Sequence, residues 1–154
     1  MKFLNDIFLK EKDYASLLKN IKRECLPLAC TGLSAIHKAA VISSLVSHQN
    51  KKIAVVTSDE AAANELCDNL NSLGRNCVYF PSRDYLFANL TGYSKEYEHK
   101  RIDTLSKLLD GAFEVAVFSL DAAIQLTVPL ETLRKANFKI CSGETVSISD
   151  LTEK

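Results

Sequence analysis

The sequence predicts an α/β fold built on a mostly parallel sheet of about five strands. Three observations carry that prediction. Short Val/Ile-rich runs recur along the 154 residues, and they are continuous rather than alternating, as in strands buried on both faces. Longer amphipathic segments separate them. Cap and turn residues stand at the junctions between the two. A sheet of this kind is covered by helices on both sides, a three-layer arrangement with right-handed crossovers.

The elements follow in order. Two helical pieces come first, near 3–9 and 12–23, the second with Tyr14, Leu17, Leu18 and Ile21 at helical spacing. LPLAC (26–30) reads as the first strand. A helix over 34–47 follows, with Ser34 as N-cap and Ile36, Ala39, Ala40, Leu45 and Val46 facing inward. KIAVVT (52–57) is the second strand, and Thr57 and Glu60 have capping-box spacing for a helix that ends at Gly74. NCVYF (76–80), VAVFS (115–119) and FKIC (138–141) are the remaining strands. PSRDYLFANLTGY (81–93) lacks clear periodicity, a length of loop that is often functional. The C-terminal SGETVSISDLTEK reads as a turn, then a helix start capped by Ser147 or Ser149, the beginning of something continued in a longer polypeptide.

Composition narrows the function classes. Lys plus Arg and Asp plus Glu are both 19, so net charge is zero, which argues against a dominant polyphosphate-binding surface and leaves room only for a local patch. No apolar run reaches the roughly 18 residues of a membrane span. The N-terminal MKFLNDIFLKEKDY is broken by Asn5 and Asp6 and has no signal-peptide pattern. Cys25, Cys30, Cys67, Cys77 and Cys141 form no CxxC pair, as expected of reduced thiols in a cytoplasmic protein, and with three scattered histidines they suggest no metal site.

CTGLSAIHKAAV (30–41) has the context of a phosphate-binding P-loop: an apolar run before it, a helical pattern after it. A working loop, G-x-x-x-x-G-K-[ST], needs glycines that let backbone N–H groups approach phosphate, a lysine for the terminal phosphates and a hydroxyl for Mg²⁺. In one register Gly32 is the first glycine and Lys38 the lysine, but His37 stands at the second glycine and Ala39 at the hydroxyl position. In the other, Gly32 is the middle glycine of a G-x-T-G-x-G-K-T variant preceded by Thr31, Ser34 replaces the last glycine, and Ala35 and Ile36 replace the Lys–Thr pair. Ser34 as N-cap favours the second. Either way the metal-binding hydroxyl is missing and a side chain intrudes where glycine is needed, so no bound nucleotide cofactor is expected for this chain.

Three stretches line up in order: TGLSAIHKAA, FPSRDYLFANLTGYSKEYEHKRIDTLSKLLDG and VAVFSLDAAIQLTVPLETL. Together they resemble the N-terminal module of the bacterial transcription-repair coupling factor, which is itself similar to the excinuclease component UvrB, whose first domain is built like a helicase motor. The run F-P-x-R-D-Y falls on Phe80, Pro81, Arg83, Asp84 and Tyr85. The spacing S-x-E-x-x-x-x-R falls on Ser94, Glu96 and Arg101, and the A-x-Q-type helix on Ala122 to Leu126. Two departures fit the coupling-factor version. The intact GTGKT loop of UvrB is lost, and LFANLTG, between Tyr85 and Tyr93, is too short for its DNA-probing β-hairpin.

The resemblance implies a helicase-motor-like domain with a degenerate P-loop and three parts: an N-terminal helical segment (1–24), the α/β domain (25–137), and a last strand with the truncated start of an inserted domain (138–154). It implies a non-catalytic scaffold that carries the adjacent domain for contact with the excinuclease component UvrA. RNA polymerase, duplex DNA, and ATP with Mg²⁺ would be bound by later domains of the parent protein, an ATP-dependent DNA translocase. The competing reading is a functional nucleotide-binding half of a helicase-like ATPase, using Lys38 and Ser34.

Blander readings stand beside these. Arg83 and Asp84 suit a loop-stabilising pair, and exposed pairs of that kind contribute roughly 0–1 kcal/mol. Tyr79, Phe80, Tyr85, Phe87, Tyr93 and Tyr97 with Arg83, Lys95, Lys100 and Arg101 have the makings of a stacking platform for single-stranded nucleic acid, but Asp84, Glu96 and Glu98 dilute its charge. Glu96 and Lys100 have the spacing of a helix-surface pair. Asp59 and Glu60 belong to a helix start, Asp121 to a first turn, and Cys30 to a buried strand.

Overall fold

A computed structural model describes residues 7–82, 96–136 and 142–143. Residues 7–10 are helical. The further elements are α1 (Lys12–Lys22), α2 (Ala35–Gln49), β1 (Ile53–Thr57), α3 (Glu60–Ser72), β2 (Cys77–Phe80), α4 (Glu96–Asp110), β3 (Val115–Ser119), α5 (Leu120–Ile124) and α6 (Leu130–Ala136). The chain divides into two compact units, Met1–Ile124 and Gln125–Lys154.

The sheet among the described residues has three strands in the order β1-β3-β2, all parallel. Ile53 stands opposite Val115 and Thr57 opposite Ser119, while Cys77 stands opposite Val115 on the other side. The α/β class therefore holds, and the expected sheet of about five strands is corrected. LPLAC is not a strand: Leu26 is 67% exposed and Cys30 is exposed. Pro27 removes a ladder donor. β1 and β2 both pair with β3, and no described strand pairs with the segment. The expected strand 138–141 and the helix starts at Ser147 or Ser149 lie outside the described residues, as do 83–93 of the long loop.

Because strand side chains alternate, the two faces of this sheet differ. One carries Ile53, Val55, Cys77, Tyr79, Val115 and Val117, and these pack with Ala39, Ile42 and Val46 of α2 and Ala63, Leu66, Cys67 and Leu70 of α3. Ala39, Ala63, Leu70, Val115 and Val117 are fully buried. The other face carries Val78 and Phe80, both buried, where β2 meets α4. At the β1 end of that face Val56 remains 54% exposed.

Two polar clusters pin helices to this frame. From the turn after α3, Arg75 donates through Nε to Ser43 Oγ (2.8 Å), also donates to Ser47 Oγ, and pairs with Glu114 at 3.3 Å. Glu114 in turn accepts from the Asn76 backbone N–H (3.0 Å). α1 buries Tyr14 and Leu18, as its spacing predicts. Tyr14 Oη lies 2.9 Å from His48 Nδ1, and burial pushes its phenol up to about 12, partly offset by a hydrogen bond with Ser44. Gly74 ends α3 as expected: its φ is +70°, its N–H bonds Asn71 O (2.8 Å) and the Arg75 N–H bonds Leu70 O (3.0 Å).

Candidate functional site: the degenerate loop and the carboxyl edge of the sheet

The loop before α2 leads from an unpaired segment into the helix. Gly32 has φ +77°, a conformation that other L-residues rarely adopt, and nothing lies within 4 Å of where its Cβ would be. Glycine is thus required there by dihedral angle and not by a close approach. Ser34 is extended (φ −71°, ψ 170°), and Lys38 N–H bonds Ser34 O at 2.9 Å, so the helix begins at Ala35, the start that the second register assumes.

The side chains tell a different story from the backbone. Ser34 is at the N-cap position but makes no side-chain bond to the helix backbone; its Oγ lies 3.1 Å from His37 Nδ1. Thr31, Gly32, Ser34, Ala35 and Ile36 are all exposed. Ile36, expected to face inward, is 51% exposed. It sits in the open first turn of α2, ahead of the part of the helix that is buried from Ala39 on. Lys38 is also exposed and lines an open cleft of about 740 Å³ together with Cys30, Leu33, Thr57, Ser58 and Glu65. Cys30 is therefore not the buried strand residue that the sequence suggests.

At the carboxyl ends of the strands lies an arrangement centred on Glu60 that sequence reasoning misses. The N-cap of α3 is Asp59: Oδ1 accepts from Ala62 N–H at 2.8 Å, and Ser58 Oγ donates to Oδ2 at 2.7 Å. These bonds, the Ala62 one foremost, hold the Asp59 carboxyl below its ordinary value. Thr57 and Glu60 do not form the expected capping box. Thr57 Oγ1 donates locally to Asp59 O (2.9 Å), and Glu60 turns to tertiary partners. Glu60 Oε1 accepts from Ser119 Oγ (2.5 Å) and from Ser82 N–H (3.0 Å). Ser119, fully buried, also accepts from Ala122 N–H at 3.1 Å and so caps α5. One carboxylate thus joins the starts of α3 and α5 to the exit from β2. Spacing alone could not find this, since its partners lie 22 and 59 residues away.

Of the motif residues, three come together. Arg101 is 3% exposed, its guanidinium carbon lies 4.1 Å from the Phe80 ring centroid, and Nη1 donates to Pro81 O. Thr104, one turn on, donates to Tyr79 O (3.0 Å) and Lys100 O (2.8 Å). Stacking on a buried ring and donation to a carbonyl lower the cost of burying the cation. Arg83, Asp84, Tyr85 and Ser94 lie outside the described residues, as does the side chain of Glu96. Among the described residues, no group of three or more His, Cys, Asp or Glu stands ready to hold a metal ion, and no helix is long and apolar enough to cross a membrane.

Fold and loop define the class: an α/β domain on a parallel sheet, with a glycine-containing turn leading into α2. The chain is similar to the transcription-repair-coupling factor of Bacillus subtilis (strain 168), 23% identical over 150 residues that cover 96% of this chain. It spans about 13% of the length of that curated relative. No family model matches the chain, and no solved structure does.

Proposed function

We propose that this chain is a non-catalytic scaffold module of a transcription-repair coupling factor, cytoplasmic, and that it carries an adjacent domain which recruits the excinuclease component UvrA to stalled RNA polymerase. Contacts with RNA polymerase and duplex DNA, and ATP hydrolysis with Mg²⁺, fall to later domains of the parent protein. The observation that carries the reading is the first turn of α2. Ser34 stands where the last glycine belongs, with its hydroxyl beside His37, and Ala35 and Ile36 stand where lysine and threonine belong. The similarity over nearly the whole chain supports the assignment to coupling factors.

On this reading Phe80, Pro81 and Arg101 serve to fasten α4 to the end of β2, and the degenerate turn is retained because it connects the elements of the core. The ATPase reading draws on Lys38, exposed on the cleft beside Thr57 and Ser58. Calorimetric titration of Mg-ATP and Mg-ADP, with Lys38→Ala as control, separates the two. The scaffold reading expects no heat of binding at millimolar nucleotide in either protein. Micromolar binding that disappears in Lys38→Ala would overturn it in favour of the ATPase half.

A further inference from the structure

β1 is the outer strand of the order β1-β3-β2, and its second edge pairs with no described strand. The ladder to β3 decides which backbone groups that edge presents. Ile53 N–H donates to Glu114 O at 3.0 Å, and Ile53 stands opposite Val115. Along a paired strand, residues that bond the neighbour alternate with residues that point away from it. Ile53, Val55 and Thr57 therefore serve β3, and the N–H and C=O groups of Ala54 and Val56 point to the open edge. Both of these residues are exposed. IAVVT also lacks the proline and the charge that commonly block edge pairing. Two clefts border this strand. One, of about 520 Å³, is lined by Ile53 and Ala54, by Leu45 and Gln49 of α2, and by Ile21 and Lys22 at the end of α1. The other, of about 740 Å³ and beside Lys38, is lined by Val55 and Val56, by Val41 and Ile42 of α2, and by Leu28 and Leu33. Both volumes fall in the range of about 300–1,000 Å³ that ligand sites span. Their charges differ. Lys22, Lys51 and Lys52 against Glu24 leave the first cleft positive, whereas Lys38 and Glu65 balance in the second. Gln49 Nε2, in the wall of the first cleft, is a buried donor with no hydrogen-bond partner among the described residues.

We propose that the two clefts form one groove for an extended peptide of another protein, which adds to the open edge of β1 as a further strand. The peptide has apolar residues at alternate positions and is acidic at the end that meets the start of β1. Its main chain bonds the outward N–H and C=O groups of Ala54 and Val56, which gives affinity without sequence demands. Its alternate side chains enter the clefts, against Leu45 in the first and Leu28, Leu33, Val41 and Ile42 in the second, which gives specificity. A carbonyl of the peptide supplies the acceptor that Gln49 lacks. The acidic end faces Lys22 and Lys51. Lys52 adds to their field while its ammonium stays on Gly111 O (2.7 Å) and over the Phe113 ring (4.6 Å). A second copy of this chain does not suit the groove, because its own β1 is bordered by α2 and the 21–33 stretch and cannot enter between them. The inference goes beyond the scaffold reading and makes no use of phosphate chemistry at the α2 turn.

The test titrates the full chain with capped peptides: acetyl-EEVTVTV-amide, the reversed acetyl-VTVTVEE-amide, and acetyl-KKVTVTV-amide as the control of opposite charge. One acidic peptide should bind, its direction showing whether the new strand runs parallel to β1. At saturation, amide hydrogen exchange at Ala54 and Val56 should slow by at least about tenfold, while Val55, already bonded to β3, changes little. The basic peptide should bind at least about fivefold more weakly. Ala54→Pro removes an outward N–H and no ladder bond, so the chain should keep its fold and lose about tenfold in affinity. Lys22→Glu with Lys51→Glu, two exposed changes, should reverse the preference in favour of the basic peptide. Absence of binding at millimolar peptide would overturn the proposal. So would binding that leaves the Ala54 and Val56 amides unprotected, or equal affinity for acidic and basic peptides. Protection of those amides by self-association of the chain without peptide would overturn it in favour of a dimer.

Discussion

α2 and α3 both begin where an extended segment turns into a helix, and they begin differently. At α3 the Asp59 carboxylate accepts from Ala62 N–H and is itself held by Ser58, so the turn satisfies one of its own orphan donors locally. At α2 the residue in the same position, Ser34, has a capping side chain directed sideways to His37. α3 also follows a paired strand, whereas α2 follows an exposed segment that pairs with no described strand. The difference teaches that a helix can be positioned without a local cap at its first turn. The position of α2 is set from its middle, by Ala39, Ser43 and Val46 against the core and Arg75, and leaves its first turn free to change.

The largest expected effect contrasts the two helices where they are most unlike. Leu70→Ala, at a fully buried site of α3, should cost about 2–5 kcal/mol in urea unfolding. Ile36→Ala, in the open turn of α2, should cost under about 0.5 kcal/mol. A comparable loss at both positions would show that the first turn of α2 is packed after all. Next comes the anchor that holds α2 from its middle. Arg75→Ala removes donors to Ser43 and Ser47 and the Glu114 pair, and should lose about 1–3 kcal/mol. Arg75→Lys should restore only part of it, since an ammonium cannot reproduce the forked contacts.

The smallest effects compare the caps themselves. Asp59→Ala should lower the melting temperature at neutral pH, and Ser34→Ala should leave it nearly unchanged. The Asp59 contribution has a defined pH window. Its native carboxyl lies below the ordinary value of 3.8, so the stabilisation is fully present above that value and is lost as pH falls through the depressed native one. Melting curves of wild type and Asp59→Ala should therefore converge on acidification. Asp59→Asn, still able to cap, should fall between them at neutral pH and contribute no acid-dependent part. A gap that persists unchanged well below pH 3.8 would mean that Asp59 acts through something other than its ionised cap.

Much of this molecule was legible in its residues. The apolar runs at 53–57, 77–80 and 115–119 became parallel strands because β-branched and aromatic side chains suit a pleated, partly buried surface. Gly74 stopped α3 because a left-handed residue closes its last carbonyls. Ser34 stood out as the residue before a helix, and the helix does begin at Ala35. What local sequence could not decide were the pairings over distance. LPLAC has the composition of a strand, but a strand exists only with a neighbour to share its hydrogen bonds, and none among the described strands pairs with it. Glu60 has capping-box spacing, yet Ser119 and Ser82 claim its carboxylate, because folding brings three strand ends to one point. The same is true of Cys67 and Cys77. Their spacing matches no recognised motif, and only the packing of α3 on β2 brings both into one core cluster, where Asn71 bonds the Cys67 sulfur and the Cys77 backbone.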